Sequence, residues 1–180
     1  CCHPDGHTVA AVNKEGAVQA WNLDTGKAVY TFRGMAGRSH EITYNPSGSL
    51  LALTSTSGEV SLWDARTGCR SQEILLPEAV PVRIEYSPCG KWLAVAERNC
   101  TVHLFNAQNL SLNRTFTTDT CISGLAFAKD GTLGVSSMQA AVYFWNAETG
   151  EIIYKITPLV RPRHTNLAFH HESKHFAPTV

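Results

Sequence analysis

The sequence predicts an all-β chain built from repeated four-stranded antiparallel units, and three observations carry that prediction. An aromatic-Asn/Asp turn motif recurs at a near-constant period. A second turn motif, ending in Gly, keeps the same period in register with the first. Between them the apolar residues alternate or run in stretches of strand length, and no segment sustains a helical period.

The first motif is Trp21-Asn22-Leu23-Asp24-Thr25-Gly26, which returns as Trp63-Asp64-Ala65-Arg66-Thr67-Gly68. It returns again as Phe105-Asn106-Ala107-Gln108-Asn109 and as Trp145-Asn146-Ala147-Glu148-Thr149-Gly150, so the aromatic anchors are 42, 42 and 40 residues apart. The second motif is His3-Pro4-Asp5-Gly6, repeated as Asn45-Pro46-Ser47-Gly48, Ser87-Pro88-Cys89-Gly90 and Ala128-Lys129-Asp130-Gly131. His170-His171-Glu172-Ser173 arrives on the same schedule after Phe169. Two independent anchors holding one period mark a repeat architecture.

Within the second copy, Ile42–Tyr44 leads into the Pro-x-Gly turn, where Pro presets φ and Gly accepts positive φ. Leu50–Thr54 is an apolar run suited to a strand buried on both faces, and Glu59–Trp63 alternates as a strand with two unlike faces does. Cys69–Leu75 is a more polar fourth strand. The third copy reads Val82–Tyr86, Trp92–Glu97, Thr101–Phe105 and Leu110–Phe116. The fourth reads Ile122–Phe127, Leu133–Ser137, Ala141–Trp145 and Glu151–Ile156. A fifth innermost strand is expected over Arg163–Phe169, with His175–Val180 starting the next.

Four strands per unit at a period near forty is the arithmetic of a β-propeller blade. The Trp-Asn or Trp-Asp ending the third strand, the Pro-x-Gly turn and the Thr-Gly turn resemble WD repeats (WD40), over essentially all 180 residues. The resemblance implies an all-β propeller of four-stranded antiparallel WD-type blades, about four of them present, belonging to a larger ring of the seven-bladed type. The departures are specific. Typical repeats carry a Gly-His pair before the first strand and an Asp six residues before the Trp. Here Gly34 is followed by Met35, and the Asp positions are held by Glu15, Ser57, Asn99 and Gln139, which predicts a divergent member with that hydrogen-bond network absent or rebuilt.

The expected blades are 1–36 (lacking most of its first strand), 37–78, 79–118 and 119–159, with 160–180 opening another. The chain begins Cys1-Cys2-His3 without Met, and an open array of blades exposes sheet edges. Truncation at both ends is therefore expected. The alternative is that Asn166–Phe169 supplies the first blade's missing strand and closes a four-bladed ring.

Composition excludes several classes. The net charge is +0 and the sequence pI about 7.2, so no whole-chain field draws the protein to nucleic acid or membrane. No apolar run reaches membrane-span length, no signal segment opens the chain, and 43% hydrophobic residues suffice for a core. The six cysteines are scattered, with no C-x-x-C pair, which favours reduced thiols and a cytoplasmic setting. The acceptor patterns Asn99-Cys100-Thr101, Asn109-Leu110-Ser111 and Asn113-Arg114-Thr115 matter only in a secreted protein.

No catalytic constellation is legible. The eight His residues share no blade position. The densest group, His164, His170, His171 and His175, is read as solvated or packed, with no metal expected. No nucleophile has a base partner at a recognisable spacing, and no phosphate-binding Gly-rich loop occurs. Thr54-Ser55-Thr56 and Ser136-Ser137 end second strands, where hydroxyls satisfy backbone groups. Trp21, Trp63, Trp145 and Trp92 are read as core packing.

The expected function is a non-catalytic scaffold for protein–protein interaction, with no cofactor, and with proteins or peptides as partners. The resemblance places partners on the loops between second and third strands and between blades. Lys14, Thr56, Arg98 and Met138 occupy the first set of loops; Arg38, His40, Arg161 and Arg163 are the chosen residues of the second, beside Met35 and Asp119. Arg and Met concentrate at interface cores, which singles out Arg98, Met138 and Arg38. The alternative is a ligand-binding or enzymatic propeller whose site is completed by blades outside this chain.

Overall fold

A computed structural model of the chain describes residues 1–34, 39–76, 80–139, 141–157, 166–169 and 176–179, with the backbone alone for 39, 40, 166–169 and 176–179. The described residues form only strands and turns. The chain falls into two compact units, Cys1–Ile84 and Glu85–Val180.

The first unit holds two sheets. One comprises β1 (Thr8–Val12), β2 (Ala17–Asn22) and β3 (Ala28–Arg33) in that order. Cys1–His3 lies beside β1: Cys2 bridges Val9, the Ala10 N–H donates to the Cys1 carbonyl (2.9 Å), and the His3 N–H to the Thr8 carbonyl (2.8 Å). The other comprises β4 (Ser39–Tyr44), β5 (Leu50–Ser55), β6 (Glu59–Asp64) and β7 (Arg70–Leu75) as an antiparallel meander.

The second unit begins inside β8 (Pro81–Tyr86), which continues to β9 (Trp92–Glu97), β10 (Thr101–Asn106) and β11 (Leu112–Thr117) in one sheet. The next sheet is β12 (Ile122–Phe127), β13 (Thr132–Ser137), β14 (Val142–Asn146) and β15 (Ile152–Ile156). Finally β16 (Asn166–Phe169) pairs antiparallel with β17 (Phe176–Thr179) in a sheet of its own. The position beside β1 is held by Cys1–His3 and β16 takes β17 as its partner, so the expected alternative of a strand exchanged to close four blades is not the observed pairing.

Burial follows strand rank. The second strands β5 and β9 carry the apolar runs and are buried along nearly their whole length, whereas the fourth strands β3, β7, β11 and β15 are largely exposed. In the first unit, Ala10, Val18, Ala20, Tyr44, Leu51, Leu53, Trp63 and Ala65 form one core. Phe32 of β3 stacks on Trp63 of β6 (5.5 Å between centroids), and Phe116 of β11 repeats this on Trp145 of β14 (5.1 Å). The outer strand of one sheet thus lays an aromatic on the third-strand Trp of the next. Trp21 is half-buried and carries no such partner among the described residues.

The turn after each third strand explains why Asn and Asp alternate there. The Asp64 carboxylate accepts from the Arg66 N–H (3.0 Å), the Thr67 N–H (2.7 Å) and the Thr67 hydroxyl (2.8 Å). Those bonds, led by Thr67, hold its carboxyl below the usual range. Asn22 and Asn146 accept from the Thr25 and Thr149 N–H groups (2.8 and 3.1 Å) with their amide oxygens. Only an acceptor oxygen is needed, so the charge is dispensable. Gly68 closes the turn at φ +67°, and an added Cβ there would meet Phe32 at 2.8 Å. Both conformation and space require glycine.

Two expectations are corrected. Leu110 does not begin a strand: it stands where the other copies have Gly, at φ +53°, with its N–H donating to the Asn106 carbonyl (2.9 Å), so β11 starts at Leu112. The Thr54 hydroxyl, expected to satisfy backbone, is fully buried without a hydrogen-bond partner because β5 is enclosed along its length.

Candidate interaction surface

The turns joining second to third strands share one design. Each is a four-residue turn whose last residue lies in the left-handed region: Gly16 at φ +80°, Gly58 at +84° and Cys100 at +71°. The Gly16 and Gly58 N–H groups donate back to the Asn13 and Ser55 carbonyls (3.1 and 3.2 Å). Each turn also receives the chain as it leaves the fourth strand. The Gly34 N–H donates to the Gly16 carbonyl (2.8 Å), Leu76 to Gly58 (2.9 Å) and Thr118 to Cys100 (2.9 Å). The exits of β3, β7 and β11 are thereby tied to the same end of their sheets.

This geometry places Lys14, Thr56 and Arg98 at the second position of equivalent turns, and Met138 directly after β13 at the corresponding place; all four are exposed, Met138 by 65%. Their side chains carry no packing role, which is what a contact surface requires. Within the first unit the surface consists of the Lys14 and Thr56 turns. His40 lies in β4 with only its backbone described, and Arg38, Arg161, Arg163 and Met35 lie outside the described residues, as do His164, His170, His171 and His175.

In the second unit the Arg98 and Met138 turns are connected. The Thr118 N–H donates to the Cys100 carbonyl (2.9 Å), the Thr118 hydroxyl donates to the Thr120 carbonyl (2.8 Å), and the next carbonyl along, that of Cys121, accepts the Met138 N–H (2.8 Å). Burial, with the neighbouring Cys121 thiol, pushes the Cys100 thiol up. Asp119, expected as a free loop residue, is committed: it pairs with Lys155, and its N–H donates to the Tyr143 hydroxyl (3.2 Å). The Lys155 hydrogen bond, with that of Tyr143, holds the Asp119 carboxyl below its usual range and raises the Lys155 ammonium.

The sequence reading missed three groupings. Glu97 (3% exposed) pairs with His103 (Nε2···Oε1 2.7 Å), whose Nδ1 bonds the Thr115 hydroxyl (3.2 Å). His103 lies directly opposite Thr115 and Val95, so this polar line crosses β9, β10 and β11 on one face. Cross-strand register would have aligned His103 with Thr115 had Leu110 not been read as strand. At the opposite strand ends, Glu148 accepts from Lys91 (2.7 and 2.6 Å) and from the Trp92 indole (3.2 Å), while Arg114 donates to its carbonyl (3.1 Å). The Lys91 hydrogen bond depresses the Glu148 carboxyl. Also at those ends, His3, Asp5, Thr8, Tyr30 and Arg66 line a cleft of about 300 Å³. Burial works against Asp5, but bonds from the His7 N–H, the Thr8 hydroxyl and N–H, and the nearby His3 together lower its carboxyl. Among the described residues no three His, Cys, Asp or Glu side chains are placed to hold a metal ion, and no helix is long and apolar enough to cross a membrane.

No protein-family model matches the sequence, and no curated protein sequence matches it. The fold does have counterparts among solved structures. A chain of the crystal structure of the mitotic checkpoint complex superposes with a TM-score of 0.86 at 18% identity, over 99% of this chain and 56% of that one. The described architecture and this likeness give the fold as a WD40-like β-propeller of four-stranded antiparallel sheets. The chain spans about half the length of the structure it matches.

Proposed function

We propose that this chain is a non-catalytic platform that binds proteins or peptides through its second-to-third-strand turns. One observation carries the reading: Lys14, Thr56, Arg98 and Met138 project from the same position of structurally equivalent turns and have no packing duty. The matched chain belongs to a multiprotein complex, which supports the same reading. Arg98 and Met138 are the anchors of choice, since a cationic fork and an adaptable thioether suit the centre of a contact. The partner face therefore prefers an acidic residue beside an apolar one.

The test is a displayed-peptide selection against the chain, followed by titration of a selected peptide. Arg98→Glu combined with Met138→Asp is expected to weaken binding at least about tenfold, roughly 1.4 kcal/mol. Lys27→Glu, at the other end of the strands, is expected to leave it unchanged. Binding that ignores the first pair and responds to the second would move the surface to the opposite turns.

An enzymatic propeller completed by further blades has one observation in its favour, the aligned hydroxyl, imidazole and carboxylate of Thr115, His103 and Glu97. Thr115 stands opposite His103, and Glu97 lies two residues beyond its other partner Val95 on the same face, so the three are accounted for as a clamp that satisfies a buried carboxylate. The platform reading stands ahead of it.

A further inference from the structure

We propose that the cleft of about 300 Å³ in the first unit is a binding site for a free α-amino acid with an apolar side chain. That volume lies at the small end for ligand sites and suits a molecule of metabolite size. The cleft lies at the other strand ends from the Lys14 and Thr56 turns, so this reading and the platform can fail separately.

Its two walls carry opposite charges, Asp5 ahead of β1 and Arg66 after β6. Asp5 Oδ1 accepts the His7 and Thr8 N–H groups (2.7 and 3.0 Å), and Oδ2 accepts the Thr8 hydroxyl (3.1 Å). The Asp5 N–H donates to His3 Nδ1 (3.1 Å), which leaves Nε2 to donate to the Gly48 carbonyl (3.2 Å). Held that way, His3 brings no proton to Oδ2, 3.0 Å from Nδ1, and Oδ2 keeps a lone pair for an incoming donor. An ammonium supplies that donor with the matching charge.

Arg66 is exposed, and among the described residues no carboxylate pairs with its guanidinium. Its charge favours the ionised Asp64, but that carboxylate is occupied by the N–H groups of its own turn. The guanidinium fork is thus open to a ligand carboxylate. A plain anion would be repelled by Asp5 and a plain cation by Arg66, whereas a zwitterion answers both. Between the charges lies Val29, 55% exposed, beside the Tyr30 ring, and an apolar side chain covers them.

The walls are fixed in advance. The His3 ring stands edge-on to Tyr44 (4.7 Å between centroids), and the Tyr44 hydroxyl bonds that of Tyr30. A side chain at Gly48, at φ +74°, would overlap the His3 ring. The repeat shows what a closed corner looks like. Glu148 stands three residues after Trp145, as Arg66 does after Trp63, and it is taken up by Lys91, Trp92 and Arg114 of its own unit. At Arg66 the same corner is left open.

The isotope-labelled full chain is titrated by NMR with L-leucine and L-phenylalanine, then with isocaproate, which lacks the amine, and isoamylamine, which lacks the carboxylate. The expected result is saturable amide shifts at residues 3–8 and 64–67 with at least one amino acid, and binding of each leucine analogue at least about tenfold weaker than that of leucine. Arg66→Gln, at an exposed turn position, is expected to keep the spectrum of a folded chain and to weaken amino-acid binding about tenfold. No saturable shift with either amino acid, or shifts centred on other residues, would overturn the proposal. So would isocaproate binding as tightly as leucine, or an Arg66→Gln chain that binds as the unsubstituted one does.

Discussion

Among the described residues two side chains sit in the left-handed region where the repeat elsewhere uses glycine, and they are expected to respond to the same substitution with opposite signs. An L-residue there costs about 1–2 kcal/mol. Cys100 is half-buried, so Cys100→Gly removes the strain and forfeits little packing. It is expected to stabilise the reduced protein by about 1 kcal/mol. Leu110 is 4% exposed. Deleting a buried Leu side chain costs about 2–5 kcal/mol, more than the strain returns, so Leu110→Gly is expected to destabilise by about 1–2 kcal/mol. Urea midpoints for the two variants decide this. A shared sign would show that conformation, or packing, governs both positions alone.

At the scale of strands and loops, the stacking of a fourth-strand aromatic on the following third-strand Trp is the repeated joint. Phe116 is 6% exposed against Trp145, and Phe116→Ala is expected to cost about 3 kcal/mol; Phe32→Ala, at a half-buried site against Trp63, is expected to cost less. Equal costs in denaturant titrations would contradict that ranking. The loop between β11 and β12 is held differently, by the Asp119–Lys155 pair. Asp119 is depressed in the folded protein, so its contribution is present above its unfolded pKa of about 4 and fades as pH falls through the lower folded value. Lys155 is raised, so its contribution is full below about 10.4 and is lost as pH rises through the higher folded value. Asp119→Asn is expected to flatten the acid limb of the melting-temperature profile around and below pH 4, and an unaltered limb would assign it to other carboxylates.

These elements were legible from sequence to differing degrees. β9 and β12 fall where the apolar pattern placed them, because each is an apolar stretch of strand length bounded by a turn ending in Gly, Pro88-Cys89-Gly90 before β9 and Lys129-Asp130-Gly131 after β12. Leu110 misled because a turn normally marked by Gly was built with an apolar residue. The Asp119–Lys155 pair could not be read at all: its two residues are 36 apart and carry no shared motif. The Lys14, Thr56, Arg98 and Met138 positions were readable because turn equivalence is a property of the repeat itself.

For the molecule as a whole, 18% identity with a TM-score of 0.86 is understandable from which parts of the repeat are chemically demanding. The third-strand turn asks only for an acceptor oxygen, met by Asn22, Asp64, Asn106 and Asn146. The third-strand anchor asks for an aromatic, met by Trp63, Phe105 and Trp145. The Gly-His and Asp positions are free to change when other pairs take over, as Ser61 does for the Trp63 indole (2.7 Å) and His103 does for Glu97. A repeat can then keep its strands while losing the residues by which it is recognised.

The measurement that tests the platform most directly is hydrogen exchange of the full chain with and without a selected peptide partner. The account predicts slowed exchange at residues 97–100 and 137–139, with the turns at 22–26, 64–68 and 146–150 unchanged. Protection confined to those latter turns, around the His3–Arg66 cleft and Glu148, would contradict it and assign binding to the other end of the strands.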